Sequence, residues 1–226
     1  FCLYVCIGIC LCFSRSPSCF LNYLGITLIT TGSLLSITLE YNSVKSSLLI
    51  DLYLSKIENA FEKIIAKTKQ EIWGIGIGLP GPVEFATGVP MSPPIMPGWD
   101  RYPVRERFSK KFNAPVWVDN DVNLMALGKV AKNQEKKYKE LIYIKIGSGI
   151  GAGILTHGRL HRGAQGCAGD IGHIAVAGVT NVVCRCGNVG CLEAMAGGIA
   201  IARDALTVAE NSESKYLSER LKANNK

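Results

Sequence analysis

From Asp51 to Lys69 the chain reads "DLYLSKIENAFEKIIAKTK", with apolar positions at helical spacing. Leu54, Ile57, Phe61, Ile64 and Ile65 share one face, and Asp51 stands where an N-cap would open the helix. Residues 23–40, "YLGITLITTGSLLSITLE", predict a hairpin, two β-rich runs about a Thr-Thr-Gly-Ser turn. "EIWGIGIGLPGP" predicts a buried strand that runs into a Pro-Gly-Pro turn, and "VEFATGVPMS" a small second hairpin. The proline-rich "PPIMPGW" is a loop, "RERFSKKF" a short helix, and "APVWVDND" a strand that ends in acids. "DVNLMALGKVA" is a second amphipathic helix, starting just past that strand.

The order then begins again. "ELIYIKIGSGIGAGILTHGRLHRG" predicts a three-strand meander with turns at Gly147-Ser148-Gly149 and His157-Gly158. Each half therefore opens with a hairpin whose turn is small and polar. A repeated α/β unit of this kind predicts two lobes that hold a phosphate between their turns. The boundaries that follow are 23–120 for an N-terminal α/β lobe and 121–226 for a partial C-terminal lobe.

Composition agrees with a folded core. The chain has 226 residues, 48% of them apolar and 19% charged, enough for one sizeable core or two small lobes. The net charge of +7 is spread out, and in "KNQEKKYKE" glutamates separate the lysines. That is a solvated face, not a nucleic-acid surface. The opening "FCLYVCIGICLCFSRSPSCF" differs from the rest and holds five of the nine cysteines. Its first apolar run is about thirteen residues, short of the roughly 20 that span a bilayer, and a basic n-region and initiator Met are both missing. Residues 1–22 therefore receive no function and read as a non-native or remodelled N-terminus; no membrane partner is expected. The start at Phe1 and the polar end "SERLKANNK" make the chain read as a fragment, truncated at its C-terminus.

The densest chemistry lies in "HIAVAGVTNVVCRCGNVGCLEA". Cys184, Cys186 and Cys191 follow the spacing C-x-C-x4-C, and His173 lies eleven positions before Cys184. Three thiolates and an imidazole make a tetrahedral set suited to structural Zn2+. Gly187 and Gly190 sit where the chain must turn tightly. A disulfide fits less well, because Cys184 and Cys186 are too close to bridge easily and a cytosolic chain keeps its thiols reduced. Cys167 falls outside the pattern and reads as a small buried hydrophobe.

"GAQGCAGDIGHIAV" followed by "CRCGNVGCLEA" resembles the motif of the ROK family of repressors and sugar kinases. "GIGIGLPGPV", "VDNDVNLMALG" and "IKIGSGIGAGI" match further family segments in the right order, from about residue 23 onward. The resemblance implies an α/β, two-lobed actin-like or hexokinase-type (ribonuclease H-like) fold. It implies that Asp121 is the acid that takes the proton from a sugar hydroxyl in the kinases. A carboxylate at a strand end suits a general base in phosphoryl transfer, but at the start of a helix it equally suits an N-cap. Asn120, Asp170, His173 and Glu193 match the other sugar-contacting positions. His173 would then serve zinc with one ring nitrogen and the sugar with the other. Gly147, Ser148, Gly149 and Gly151 match a phosphate-binding hairpin, although an ordinary tight hairpin explains them as well.

Three features depart from the family's kinases. The Asp-x-Gly-Gly-Thr turn that positions Mg-ATP aligns with "TLITT", residues 27–31, so Thr27 replaces the acid and Ile29 and Thr30 replace the glycines. Ile95 replaces a sugar-contacting Asn, and Asp170 replaces a Glu. The expectation is the effector domain of a sugar-responsive transcriptional regulator, cytoplasmic and homo-oligomeric. It would bind a hexose or N-acetylated amino sugar and reach DNA through a domain absent from this chain. The alternative is an ATP-dependent hexose or amino-sugar kinase.

Overall fold

The structure, a computed structural model, describes residues 8–12, 47–68, 72–94, 96, 98–132 and 138–224. The hairpin expected at 23–40, with Thr27, Ile29 and Thr30, lies outside the described residues, as does Ile95. Strand β1 (Gly8–Cys12) pairs antiparallel with β2 (Gly74–Leu79), from Gly8 opposite Gly78 to Cys12 opposite Gly74. The sequence reading had placed no element there. β2 in turn runs parallel to β5 (Val116–Asn120), giving the order β1-β2-β5.

Helix α1 runs Ser47–Thr68, so Asp51 lies inside it and is not its N-cap. The apolar stripe begins a turn earlier than the sequence reading placed it: Ile50 is buried with Leu54, Ile57 and Phe61. Asp51 does different work. Its carboxylate accepts the Tyr102 hydroxyl at 2.7 Å and pairs with Arg107. Arg107 also pairs with buried Glu58, which ties α1 to α2 (Val104–Phe112).

The two helices and the sheet share one core. It contains Leu54, Phe61, Val104 and Phe108 from the helices, and Ile75, Ile77, Leu79, Val116 and Val118 from β2 and β5. Phe108 is fully buried and meets Phe61 edge-on at 6.1 Å and Phe112 stacked at 6.0 Å. Phe108→Ala should therefore cost about 3–5 kcal/mol, read as a lower urea midpoint at unchanged slope.

The hairpin of β3 (Val83–Glu84) and β4 (Val89–Pro90) forms as expected, and residues 91–103 contain no regular element among those described. Helix α3 (Asp121–Lys132) follows β5 with no loop between them and packs on β2 and β5. The meander is β6 (Leu141–Ile146), β7 (Ile150–Thr156) and β8 (Arg159–His161), in that order.

Packing divides the described residues into two compact units. The first holds those up to Ile144, with Ala152–Gly169. The second holds Lys145–Gly151 and Asp170 onward. A division after residue 120 would cut α3 from the strands it packs on. The second unit carries α4 (Leu192–Ala196), α5 (Gly198–Glu210) and α6 (Lys215–Asn224), and the Ser218 hydroxyl donates to the Ala209 carbonyl at 2.8 Å to join the last two. Among the described residues no helix is long and apolar enough to cross a membrane.

Candidate functional site

In the first unit, Asn120 ends β5 and Asp121 begins α3. A helix that starts directly on a strand leaves its first N–H groups to be satisfied locally. Asn120 does this: its Oδ1 accepts the Val122 N–H at 2.9 Å and the Asn123 N–H at 3.2 Å. Its Nδ2 donates to the Gly81 carbonyl at 3.0 Å. The cap is therefore Asn120, not Asp121. Asp121 is 5% exposed in the first turn of α3, where the N-terminal end of a helix favours a negative charge.

Beside it, Asp119 is 2% exposed, and sequence reasoning gave it no role. Its Oδ1 accepts the Asn120 N–H at 2.8 Å and the Asn123 Nδ2 at 2.9 Å. Its Oδ2 meets Arg162, with Nε at 2.9 Å and Nη2 at 2.7 Å. The paired acids of "VDND" were visible in the sequence. Arg162, more than forty residues away in "LHRG", carried no signal.

The second unit gathers the remaining candidates. The donor atoms of His173, Cys184, Cys186 and Cys191 all lie within 4.8 Å of one another. The Cys186 and Cys191 sulfurs are 3.7 Å apart, and Cys184 Sγ is 3.5 Å from His173 Nδ1. Zinc bound to sulfur at about 2.3 Å and to nitrogen at about 2.0–2.1 Å needs S···S edges of about 3.8 Å and S···N edges of about 3.5 Å. The set matches those edges at the two separations given. It does not fit a disulfide, whose sulfurs lie about 2.05 Å apart, and Cys184, Cys186 and Cys191 are free thiols.

The backbone follows the sequence expectation. Gly187 (φ +92°) and Gly190 (φ +76°) adopt the left-handed region that side chains avoid. The loop closes on itself through Gly187 N–H to Cys184 O at 2.9 Å and Cys184 N–H to Asn188 O at 2.7 Å. Burial pushes the Cys184 thiol up; burial and the neighbouring thiols push Cys191 up to about 12. Burial acts the same way on Cys186, but the Asn188 N–H and the adjacent thiols outweigh it and hold that group below its ordinary value. A bound cation would favour the thiolate form of all three sulfurs. Cys167, expected to be buried, is exposed.

His173 has its Nδ1 toward the sulfurs and its Nε2 3.7 Å from Asp170 Oδ1. Burial, reinforced by the charge of Glu193 and opposed by that of His173, raises the Asp170 carboxyl. Cys191 directly precedes α4, so the loop fixes where that helix starts and places Glu193 in its first turn. Glu193 Oε2 accepts the Ile150 N–H at 2.9 Å. A Cβ on Gly149 would lie 2.4 Å from the same oxygen. The Gly147–Gly149 turn, with Ser148 exposed and Gly151 on β7, is thus pressed onto α4, and Gly198 N–H holds it by donating to Gly147 O at 2.7 Å.

The ROK family model matches residues 49–226 of the chain. The chain belongs to the ROK family. Its ROK relatives fall on two branches. A glucokinase from Halalkalibacterium halodurans is 37% identical over 168 residues, 73% of this chain and 51% of that protein. A xylose repressor from Caldicellulosiruptor bescii is 38% identical over 171 residues, 75% of this chain and 42% of that protein. The chain thus spans about half the length of the curated relatives it matches, or less. Among solved structures, a Streptomyces griseus ROK glucokinase in complex with glucose and AMPPNP is 29% identical. It has a TM-score of 0.60 and covers 70% of this chain and 51% of its own. A ROK transcriptional regulator described as a homologue of the E. coli MLC protein is 26% identical, with a TM-score of 0.58, over 73% of this chain and 42% of its own. The fold is accordingly the α/β, actin-like hexokinase-type fold of ROK proteins.

Proposed function

We propose that this chain is the sugar-binding effector domain of a sugar-responsive ROK transcriptional regulator. The observation that carries the sugar reading is Asp121, a buried acid at a strand end that Asn120 relieves of the capping duty. The family positions name the remaining sugar contacts: Asn120 beside it, and Asp170, His173 and Glu193. A hexose or N-acetylated amino sugar would be recognised by carboxylates accepting from its hydroxyls, bonds that are stronger for being charge-assisted. His173, Cys184, Cys186 and Cys191 would hold one structural Zn2+, which fixes α4 and hence Glu193. Sugar binding would bias a two-state motion of a homo-oligomer and change the DNA affinity of a separate helix-turn-helix domain.

Two features favour sensing over catalysis. The stretch "TLITT", which the family resemblance aligns with the kinase phosphate turn, lacks the acid and glycines of that turn. In the second phosphate turn, the Ile150 N–H is already taken by Glu193, whose charge would also oppose a phosphate there.

A second reading, an ATP-dependent sugar kinase, has the 37% identity to a glucokinase in its favour. In it Mg-ATP supplies the phosphoryl group. Asp121 would take the proton from the sugar hydroxyl, and Gly147, Ser148, Gly149 and Gly151 would cradle phosphate. Sugar-dependent ADP release separates the two. The sensor reading expects none above the no-sugar blank with any hexose or N-acetyl sugar. Turnover that Asp121→Asn abolishes would establish the kinase.

A further inference from the structure

Asp119 holds residues on either side of Asp121. Its Oδ1 takes the N–H of Asn120, the residue before, and the side-chain amide of Asn123, two residues after. Asp121 is thereby bracketed by bonds to one buried carboxylate oxygen. The other oxygen is committed to Arg162, through two nitrogens of its guanidinium.

The guanidinium is itself held. Its central carbon lies 3.7 Å from the centroid of the Phe85 ring, in the turn between β3 and β4. The Arg162 carbonyl accepts the Ala168 N–H at 3.1 Å, which closes the loop that follows β8. A buried carboxylate tolerates desolvation only with a well-placed cation, and removing that cation leaves an uncompensated charge. Without Arg162, Asp119 would turn toward water and release Asn120 and Asn123.

We infer that Arg162 is a positioning residue for the Asp121 site and acts through Asp119. The inference rests on the sugar-binding reading. Lysine is no substitute, because it offers a point charge where the site uses a planar fork that also stacks on an aromatic ring.

The test is sugar affinity by calorimetry on the full chain, at a temperature where circular dichroism shows each variant folded. Four proteins are compared: wild type, Arg162→Lys, Arg162→Met, and Arg162→Met with Asp119→Asn. Arg162→Met should raise Kd at least about tenfold, and Arg162→Lys should fall between it and wild type. The double variant should recover much of the loss, since the amide that replaces the Asp119 carboxylate leaves no buried charge unpaired and keeps an oxygen for Asn120 and Asn123. A purely structural contact would lower the melting temperature and leave Kd of the folded protein unchanged. If Arg162→Met does not fold, Arg162→Lys and the double variant carry the same comparison.

Wild-type Kd in Arg162→Met, or in Arg162→Lys where that stands in for it, overturns the inference alone. So does a double variant no better than the single one. A wild type that binds no sugar overturns the sugar reading and this inference together.

Discussion

Cys191→Ser should empty the proposed zinc site and abolish sugar binding in one step. Cys191 is fully buried, its sulfur lies 3.7 Å from that of Cys186, and it directly precedes α4. A serine hydroxyl is a far poorer zinc ligand than a thiolate, so zinc content should fall from one per chain to near zero. Structural zinc contributes folding energy directly, on the order of 10 kcal/mol or more in small zinc peptides. A larger domain retains other contacts, so the expected result is a lower melting temperature with local loss of order from Ile174 to Ala196. Glu193 then loses its anchor on Ile150. Elemental analysis and calorimetry on the same sample check both halves. Full zinc content, or sugar binding that survives zinc loss, would contradict the proposed link.

Asp121→Asn should have the opposite profile, with the helix cap kept and sugar affinity lost. The helix cap belongs to Asn120, so replacing one carboxylate oxygen of Asp121 by an amide removes no cap. A hydrogen bond to a charged group contributes about 1.5–3 kcal/mol, so Kd should rise roughly 10- to 100-fold. Asn120→Ala is the contrast: it removes the cap and should cost about 1 kcal/mol of stability in addition to any loss of affinity. Urea unfolding and titration of the two variants in parallel separate the roles. An Asp121→Asn protein that loses stability but binds sugar as wild type would return Asp121 to a structural role.

The sequence disclosed these two residues unequally. The convergence of Cys184, Cys186, Cys191 and His173 was legible because a metal site would impose both residue type and spacing, and Gly187 and Gly190 mark the tight turns between them. Asp121 was ambiguous, because an acid at a helix start has two uses and only the side-chain geometry of Asn120 assigns the cap. Asp51 misled for a related reason: a good cap residue stood at an internal position, and the helix continued upstream through Ile50. The strand β6 was readable as part of the meander, but Ile142, Ile144 and Ile146 are all exposed while Leu141, Tyr143 and Lys145 are half-buried. With apolar residues on both faces, periodicity names a strand and leaves its covered side open. Arg162 lay beyond reach altogether, since its partner is set by the turn after β8 and by no local pattern.

Isothermal titration of the metal-loaded chain with a panel of hexoses and N-acetylated amino sugars, with and without Mg-ATP, tests the account most directly. The account predicts saturable heat with at least one sugar, at a Kd that Mg-ATP leaves unchanged. No heat with any sugar in the panel would contradict it.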